Sequence, residues 1–359
     1  MKIAIVHDAL CVTGGGEKLF LWMKKAFPDA PIFTSVYLSG KTFPEYKNFK
    51  INTLPLSGLI KNETQMKLLY PLWYFGFRSL DFSEFDLVLS SSTYLAKFIS
   101  PPSHVKHYSY INAPFRLLWK PDSYTSNSRS NLRFLAVLLK PFIPLLRKID
   151  RTQSRKINKI AANSRNMADA IMDHYQMPAT VIYPPVELEN FSPSQEIGNY
   201  YLSVSRLVSH KRVDVAVDAC TKLGKDLVVV GDGPELEHLK RKAGPTISFV
   251  GRVNDKELSS LFSHARALLF PSEEDFGIVP LEAQASGIPV IAYGKGGALE
   301  TVLEGETGLF FKSQTVDDLI DAMIRFESKM FNKAQIRNWV EKFSGQNFIE
   351  ALREFVFSA

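Results

Sequence analysis

The feature that most constrains the fold is an alternation, from residue 200 onward, of short apolar runs with longer amphipathic stretches. The apolar runs predict strands at 200–204, 227–230, 247–250, 267–270 and 289–292. The stretches that separate them predict helices at 213–223, 234–243, 255–264 and 277–286. Continuously apolar strands that alternate with helices are typical of a parallel sheet covered on both faces. We therefore predict a doubly wound α/β domain for the second half of the chain.

The first half of the chain shows the same alternation less regularly. Apolar runs predict strands at 2–6, 32–36, 87–89 and 105–110. A helix is expected after three consecutive glycines, Gly14, Gly15 and Gly16, so a second doubly wound domain fits. Two prolines, Pro184 and Pro185, then stiffen the chain, and the polar residues 187–199 interrupt the alternation. We place the boundary there, which gives domains of residues 1–186 and 187–342.

Length and composition narrow the class of protein further. The 359 residues favour two domains, since a domain commonly has about 100–200 residues. Two isolated cysteines, Cys11 and Cys220, exclude a disulfide framework and a cysteine zinc site. The longest uncharged apolar stretch, 68–77, has ten residues, which is short of the roughly 18–20 that span a bilayer, and no secretory signal opens the chain. We expect a cytoplasmic protein.

Positive charge is concentrated in the first half of the chain. The net charge is +6, and residues 120–165 alone hold 11 Lys and Arg against two acidic residues, interleaved with apolar runs at 134–139 and 142–146. This segment is either a helical excursion with a solvated basic face or a contact with an anionic membrane surface. A nucleic-acid partner is not expected, because no binding motif is present and the second half is acidic.

The stretch from Pro271 to Ala283 is the most informative for function. It follows the predicted strand 267–270 and leads into a helix, so it lies at the carboxyl edge of a parallel sheet, where ligands bind in such folds. Glu274 precedes a helix start whose backbone N–H groups can bind an anion, and Glu282 follows on the helix. Two carboxylates around an amide cradle suit a sugar nucleotide. Alternatively, the acidic residues only favour the helix dipole.

Basic residues follow the neighbouring predicted strand, 200–204. Arg206 and Lys211 can converge on a diphosphate and offset the charge that develops when a nucleoside diphosphate leaves. A solvated basic loop is the alternative. The Gly-Asp-Gly-Pro turn at 231–234 and the stretch Gly251-Arg252-Val253 indicate two further strand ends.

The three N-terminal glycines also follow a predicted strand. The sequence Gly14-Gly15-Gly16-Glu17-Lys18 matches neither the Walker pattern nor the dinucleotide-binding pattern of glycines. Three glycines at a strand end imply that the backbone closely approaches a ligand or the other domain, although a tight turn would also need them.

Taken in order along the chain, these elements resemble glycosyltransferase family 4, the retaining enzymes of the GT-B fold. The Gly-Gly-Gly-Glu loop, the Arg206 and Lys211 pair, the Gly-Asp-Gly-Pro turn and the Glu-x7-Glu pair carry the resemblance. His7-Asp8, Ser90-Ser91-Ser92 and Pro114-x-Arg116-x-x-Trp119 are similar to the bacterial branch that includes O-antigen mannosyltransferases. The resemblance implies two Rossmann-like domains that face each other across a cleft. It also implies a C-terminal helix, in residues 343–359, that crosses back to the first domain.

The resemblance also implies roles for individual residues. Glu274 would hold the hydroxyls of the donor sugar, Glu282 the ribose, and Arg206 and Lys211 the diphosphate. The donor-binding residues would be Gly251, Arg252, Val253, Phe276, Gly277, Ile278, Val279 and Glu282, and the acceptor-binding residues Gly14, Gly15, Gly16, Glu17 and Arg116. Asn112 stands where the branch usually has a catalytic-site histidine. Because an amide takes up no proton near neutral pH, we predict that Asn112 positions a substrate rather than acting as a base.

These expectations combine into one function and two rivals. The resemblance implies retaining transfer of a hexose, with mannose from GDP-mannose favoured, to a lipid-linked saccharide in O-antigen, capsule or exopolysaccharide synthesis at the inner face of a bacterial membrane. GDP-rhamnose, UDP-glucose and UDP-N-acetylhexosamine remain as donors. The rivals are a non-hydrolysing nucleotide-sugar 2-epimerase and a non-enzymatic partner subunit. No Asp-x-Asp triplet occurs, so no metal or other cofactor is expected.

Overall fold

The computed structural model describes residues 1–119, 140–196 and 198–358, with the side chains of Lys67, Arg116 and Leu117 excepted. Unit 1 consists of Met1–Pro185 and Gly345–Ala359, and unit 2 consists of Val186–Ser344. The two divisions fall within two residues of the predicted boundaries. Residues 120–139, which contain the predicted apolar run 134–139 and part of the basic segment, lie outside the described residues.

Unit 1 is built on a parallel sheet of seven strands in the order β3-β2-β1-β4-β5-β6-β7. The strands are β1 (Ile3–His7), β2 (Ile32–Thr34), β3 (Ile51–Thr53), β4 (Leu87–Ser92), β5 (Lys106–Ile111), β6 (Lys159–Ala162) and β7 (Thr180–Val181). Its described α-helices are α1 (Gly15–Ala26), α2 (Glu63–Leu68), α3 (Tyr70–Arg78), α4 (Arg116–Trp119), α5 (Ile143–Ser154), α6 (Arg165–Tyr175) and the final helix, Gly345–Phe357.

Unit 2 is built on a parallel sheet of six strands in the order β10-β9-β8-β11-β12-β13. The strands are β8 (Tyr201–Val204), β9 (Leu227–Val230), β10 (Ile247–Gly251), β11 (Ala267–Phe270), β12 (Val290–Tyr293) and β13 (Gly308–Phe311). Its described α-helices are α7 (Val213–Leu223), α8 (Leu236–Lys242), α9 (Asp255–His264), α10 (Ile278–Ala285), α11 (Ala298–Thr301), α12 (Val316–Glu327) and α13 (Lys333–Val340), so the final helix, in unit 1, is α14.

Both sheets have the same winding, and the predicted doubly wound α/β class is confirmed. In each unit the chain moves outward from the first strand to one edge and then returns to the other side of that strand. The reversal lies between β1 and β4 in unit 1 and between β8 and β11 in unit 2. Ligands bind at such reversals, outside the carboxyl ends of the strands.

Four strands were not predicted: β3, β6, β7 and β13. They have two to four residues each and lie toward the edges of the sheets. β3 (Ile-Asn-Thr), β6 (Lys-Ile-Ala-Ala) and β7 (Thr-Val) contain polar residues and offer no continuously apolar run, and β13 begins with a glycine. The tertiary sheet rather than local sequence therefore determines these strands.

The last helix, α14, packs against α1 in unit 1. Phe348, Leu352 and Phe355 are buried in the same core as Phe20 and Trp22 of α1. A side chain at Gly345 would overlap the Trp22 ring, so the helix can begin this close to α1 only with glycine.

A buried ionic cluster ties helix α5 into unit 1. Lys97 Nζ lies 2.7 Å from Asp150 Oδ1, and both side chains are 1% exposed. Lys97 also donates a hydrogen bond to the Tyr175 hydroxyl (2.6 Å), while Tyr175 and the Trp119 indole donate to Asp150 Oδ2. Burial alone would lower the pKa of Lys97, but Asp150 and Tyr175 more than offset it, so the pKa is raised. Lys97 therefore stays charged.

Candidate functional site

In unit 2 the loops after β8 and β11 meet at the reversal of the sheet. β8 and β11 are hydrogen-bonded neighbours, although two strands and three α-helices separate them in sequence. The loop after β8 contains Arg206 and ends in a 3-10 helix, Ser209–Lys211. The loop after β11 contains Glu274 and ends at Gly277. Because both strands are parallel, both loops leave the same carboxyl edge.

The structure joins Lys211 and Glu274 in an ion pair. Lys211 Nζ contacts Glu274 Oε1, and the side chains are 20% and 24% exposed. The hydroxyl of Ser272, which is buried, donates to the same carboxylate oxygen (3.2 Å). An ammonium and a carboxylate thus lie side by side at the carboxyl edge, partly open to solvent. This arrangement can neutralise an anionic ligand at Lys211 and accept hydrogen bonds from hydroxyls at Glu274.

Helix α10 begins directly after this ion pair. Its N-cap residue, Gly277, has a left-handed backbone (φ +90°), and no side chain caps the helix. The N–H groups of Ile278 and Val279 in the first turn have no intrahelical partner, and the helix dipole gives this end a positive potential. Phe276, just before the turn, is buried edge-on against Phe343 at a ring distance of 5.8 Å, which fixes the loop. The helix start can therefore bind an anion.

A glycine pair that the sequence analysis did not single out supports the Glu274 loop. Gly296 and Gly297 follow β12, and the Gly297 N–H donates to the Glu274 carbonyl (2.8 Å). Gly296 has φ +64°, and a side chain at Gly297 would overlap the backbone of Phe276. Two glycines shortly after a predicted strand were the available signal. They let the backbone after β12 lie directly on the loop that carries Glu274.

Arg206 and the Gly-Asp-Gly turn lie at the same carboxyl edge, after the neighbouring strands β8 and β9. A side chain at Gly231 or at Gly233 would overlap the carbonyl oxygen of Ser205 or of Leu207, so these glycines let the Arg206 loop pass over the turn. Arg206 is exposed, and no described residue accepts a hydrogen bond from its guanidinium group. Its side chain does not join the Lys211 and Glu274 pair but is available to a ligand.

The other predicted donor-binding residues lie on two elements. Glu282 is in the second turn of α10 and is partly buried. Gly251, with φ +72°, ends β10, and Arg252 next to it lies 4.0 Å from Asp232 with its side chain 78% exposed. Val253 follows in the same loop. β10 is the edge strand of the sheet, so these three residues lie two strands away from β8.

Unit 1 has its own polar site at the carboxyl edge of β1. The Asp8 carboxylate accepts four backbone hydrogen bonds of 2.6–2.9 Å, from residues 93–96 after β4. This carboxylate therefore locks together the two loops that flank the reversal of the sheet, a role that the sequence analysis did not assign. Burial lowers the pKa of the adjacent His7 to about 4, although Asp8 opposes the shift. His7 is neutral at physiological pH, stacked on Phe20 at a ring distance of 4.7 Å.

Glu17 lies over the glycine loop. Gly14 is the N-cap of α1, Gly15 and Gly16 are its first residues, and a side chain at Gly14 would lie 2.7 Å from Glu17 Oε2. Burial raises the pKa of Glu17 to about 7, with the carboxylates of Glu63 and Asp8 adding to the shift. The glycines thus make room for a carboxyl group of the chain itself, and that group titrates near neutrality.

Asn112 and Arg116 follow β5. The Asn112 side-chain amide donates to the Ser91 hydroxyl (3.2 Å), and the Asn112 backbone carbonyl accepts from the Asn163 side-chain amide (2.8 Å). These contacts hold Asn112 at the end of β5 beside β4. Arg116 begins the short helix α4, and its side chain lies outside the described residues.

Within the described ranges, no group of three or more His, Cys, Asp or Glu side chains could hold a metal ion. In the same residues, no helix combines the length and the apolar character that crossing a bilayer requires.

Comparisons with known proteins agree with this architecture. Residues 187–342 match the family model of glycosyl transferases group 1. The GDP-mannose-dependent alpha-(1-6)-phosphatidylinositol monomannoside mannosyltransferase of Mycobacterium tuberculosis is 38% identical over 138 residues, which are 33% of this chain and 36% of the relative. The alpha-1,3/1,6-mannosyltransferase ALG2 of Dictyostelium discoideum is 26% identical over 51% of this chain and 56% of the relative. The chain thus aligns with only about a third to a half of these relatives.

Among solved structures, Anabaena Alr3699/HepE in complex with UDP superposes with a TM-score of 0.74 at 17% identity, with both chains covered completely. The apo form of the lipopolysaccharide outer core galactosyltransferase WaaB superposes with a TM-score of 0.70, also at 17% identity, and covers all of this chain and 99% of that one. At this identity the likeness concerns the fold alone. Residues 187–342 therefore match the glycosyl transferases group 1 family, within a chain that has the GT-B fold of these solved structures.

Proposed function

We propose that this chain is a retaining hexosyltransferase of family 4. The observation that carries the proposal is the Lys211 and Glu274 ion pair, which lies at the sheet reversal of unit 2 next to the uncapped start of α10. A cation and free helix N–H groups suit a diphosphate, and a carboxylate suits sugar hydroxyls. A nucleotide sugar is the ligand that presents both groups together.

We propose the following roles for the unit 2 residues, supported by where they lie. Lys211 and Arg206 bind the diphosphate, and the N–H groups of Ile278 and Val279 bind a phosphate oxygen. Glu274 accepts hydrogen bonds from the donor hexose, and Glu282, one turn further along α10, binds the ribose diol. We propose that these basic residues replace a metal ion and that no cofactor takes part.

In the proposed reaction, an acceptor hydroxyl oxygen forms a bond to the anomeric carbon of the hexose on the face from which the diphosphate departs. The bond between that carbon and the diphosphate oxygen breaks. The leaving diphosphate keeps the electron pair and takes the hydroxyl proton. Because the new bond forms on the face from which the diphosphate departs, the configuration is retained. Lys211 stabilises the negative charge that grows on the diphosphate, an interaction that strengthens toward the transition state.

For the donor we propose GDP-mannose. The support is that two relatives aligned with this chain are named as mannosyltransferases, one of them as GDP-mannose-dependent. UDP sugars are the alternative, since HepE binds UDP. No described side chain distinguishes the bases by itself, so the choice needs the experiment below.

For the acceptor we propose a lipid-linked saccharide bound by unit 1. Gly14, Gly15 and Gly16 with Glu17 form one part of that site, and Asn112 and Arg116 form another. Glu17 is an acidic residue, which accepts hydrogen bonds from hydroxyl groups and does not attract an anion. We therefore propose that a neutral, hydroxyl-bearing sugar binds at the glycine loop. The product would serve O-antigen, capsule or exopolysaccharide synthesis at the inner face of the cytoplasmic membrane.

The predicted membrane contact of the basic segment needs refinement. Arg147, Arg151 and Arg155 donate hydrogen bonds from Nε to backbone carbonyls of unit 1, at 2.7, 2.7 and 3.2 Å. These arginines therefore hold α5 in place. Lys148 and Lys156 are exposed. Among the described residues of the basic segment, these are the two that we propose to contact an anionic membrane surface.

A panel of nucleoside diphosphates tests the donor proposal. GDP, UDP and ADP are each added to the purified chain, and the melting temperature is recorded. A ligand at 100 times its dissociation constant stabilises by about 2.7 kcal/mol, so the specific base stands out. The proposal predicts stabilisation by GDP that Lys211→Met removes. Stabilisation by UDP alone would indicate a UDP sugar as the donor in place of GDP-mannose. If no diphosphate raised the melting temperature, the proposed nucleotide-sugar site in unit 2 would be contradicted.

The 2-epimerase rival is separated by the products. An epimerase converts a nucleotide sugar without any acceptor and releases no free nucleoside diphosphate. The transferase releases one nucleoside diphosphate for each sugar transferred and needs the acceptor to do so.

A further inference from the structure

Helix α3 is apolar on all sides, yet one side of it faces solvent. Its sequence, Tyr-Pro-Leu-Trp-Tyr-Phe-Gly-Phe-Arg, has no charged residue before Arg78. Trp73 and Phe77, four residues apart, are buried in the core of unit 1. Leu72 and Phe75 are 49% and 68% exposed. A helix at a protein surface normally turns polar residues outward, so the outer face of α3 requires an explanation.

The exposed apolar face extends beyond α3. Leu68, at the end of α2, is 58% exposed, and only Leu69 separates α2 from α3. In the preceding loop, Leu56 and Leu59 are 56% and 70% exposed. We call Leu56, Leu59, Leu68, Leu72 and Phe75 the apolar face.

Two contacts connect the elements that carry the apolar face. A side chain at Gly76 of α3 would lie 2.7 Å from Leu54, so the 54–60 loop packs directly on α3. The Trp73 indole donates to the Met66 carbonyl (2.9 Å), which holds α2 against α3. Leu56 also has a left-handed backbone (φ 70°), a conformation that is costly for leucine. Because Leu56 is exposed, burial of its side chain within the folded chain does not offset the cost of this backbone conformation.

Basic residues outnumber acidic ones around the elements that carry the apolar face, where Glu63 begins α2 and Asp81 follows α3. Arg78 at the end of α3 donates to Gln153 of α5 (3.1 Å), so α5 lies beside α3. Phe142 and Leu145 at the start of that helical segment are 55% and 57% exposed. Lys61, Lys140, Lys148 and Lys156 are exposed. The single acidic residue between 140 and 158 is Asp150, which is buried against Lys97.

We propose that the apolar face is the part of unit 1 that enters a lipid bilayer containing anionic phospholipid. Leucine and phenylalanine gain from leaving water, and the surrounding lysines meet the lipid phosphates. A protein partner fits less well, because protein interfaces are depleted in lysine and their strongest contacts rarely involve leucine. The inference extends the proposed function by assigning the apolar part of the lipid contact to residues outside the basic segment, and it needs no donor or acceptor to be tested.

Vesicle binding tests the inference with the full chain. Co-sedimentation is measured with vesicles of phosphatidylcholine alone and of phosphatidylcholine mixed with phosphatidylglycerol. The double variant Leu72→Ser, Phe75→Ser should bind the mixed vesicles about tenfold or more weakly than the parent, because it removes two large apolar groups from the contact. The matched control is Leu299→Ser, Ile324→Ser, which changes two equally exposed side chains of unit 2 and should bind like the parent.

Folding is checked separately, since both pairs of side chains point outward and should leave the melting temperature unchanged. A second measurement detects insertion into the bilayer directly and does not depend on a variant that binds more weakly. The two native cysteines are buried, so Phe75→Cys can be labelled selectively with an environment-sensitive fluorophore. Its emission should shift to the blue on mixed vesicles, and that of labelled Ile324→Cys should not.

Three results would overturn the inference. The parent could fail to bind mixed vesicles, or the double variant could bind them as tightly as the parent. The parent could also form a dimer in sedimentation equilibrium that the double variant does not form, which would assign the apolar face to a second copy of this chain. None of these results bears on hexose transfer, which is assayed with a soluble acceptor analogue.

Discussion

Replacing Lys211 with methionine should separate catalysis from folding. Methionine keeps the length and apolar stem of lysine and removes only the ammonium group. In the structure that group contacts Glu274 at the carboxyl edge of unit 2, and the two side chains are 20% and 24% exposed. An ion pair with this exposure contributes about 0.2–1 kcal/mol to folding. For a domain of this size, 1 kcal/mol corresponds to roughly 2–4 °C in melting temperature.

The expected effect on turnover is much larger. Loss of one preorganised donor to charge that develops in the transition state costs about 10²–10³-fold in turnover, or about 2.7–4 kcal/mol. The assay is release of nucleoside diphosphate from the nucleotide sugar in the presence of acceptor, with the melting temperature measured on the same samples. Lys240→Met is the matched control, because Lys240 pairs with Glu237 on an exposed helix, at 3.2 Å, without contact to the site.

The double variant Lys211→Met, Glu274→Gln adds an internal check. If both side chains act on the same bound donor, the losses should not add, because residues that act as a unit are non-additive. A Lys211→Met variant that retains more than about a tenth of the parent's turnover would refute the role of Lys211. A loss of turnover matched by an equal loss in Lys240→Met would refute it as well.

Four further predictions concern other parts of the molecule. Because the native pKa of Glu17 lies near 7, above its ordinary 4.5, the folded state binds more protons than the unfolded state between these pH values and loses stability as pH rises. Glu17→Gln should therefore gain stability over the parent in urea unfolding between pH 5 and pH 8, and a constant difference would contradict the shift. Gly297→Ala, which forces a side chain onto the Phe276 backbone, should weaken nucleoside diphosphate binding, whereas Gly40→Ala, in open space, should leave it unchanged. Asp150→Ala leaves Lys97 charged and buried without its partner and should destabilise unit 1 by about 3–5 kcal/mol in chemical denaturation; a loss below about 1 kcal/mol would show that the cluster is relaxed by solvent. Asn112→His should add an ionisation near pH 6.5 to the pH–rate profile that the parent lacks, and Asn112→Ala should lower the rate moderately; identical profiles together with a fully active Asn112→Ala would remove Asn112 from the acceptor site.

The sheets could be predicted because their central strands are continuously apolar. β9 and β11 were placed residue for residue, as were helices α7 and α9. The loops with Lys211 and Glu274 could be assigned to a carboxyl edge for the same reason. Which loops meet depends on strand order, and nothing local in the sequence reports that β8 lies beside β11. The ion pair therefore became visible only in the fold.

Charge and hydropathy patterns predicted less about surfaces. The basic residues of α5 were interpreted as one solvated or lipid-facing set, but Arg147 and Arg151 donate to backbone carbonyls of unit 1. A count of charges carries no information on hydrogen-bond partners. Likewise, residues 68–77 were assessed only for the length needed to span a bilayer. Which of their apolar side chains stay exposed is determined by packing on Leu54 and Met66.

The most direct test of the proposed transfer is a radiolabel experiment. The purified chain is incubated with GDP-mannose labelled in the sugar and with a lipid extract that contains lipid-linked saccharides, and the lipid phase is then separated. The account predicts that label enters the lipid phase in an α linkage, with one GDP released per mannose, and that Lys211→Met abolishes both. Two results would contradict it: conversion of the nucleotide sugar to its epimer, or no consumption of GDP-mannose in the presence of an acceptor that is known to be competent.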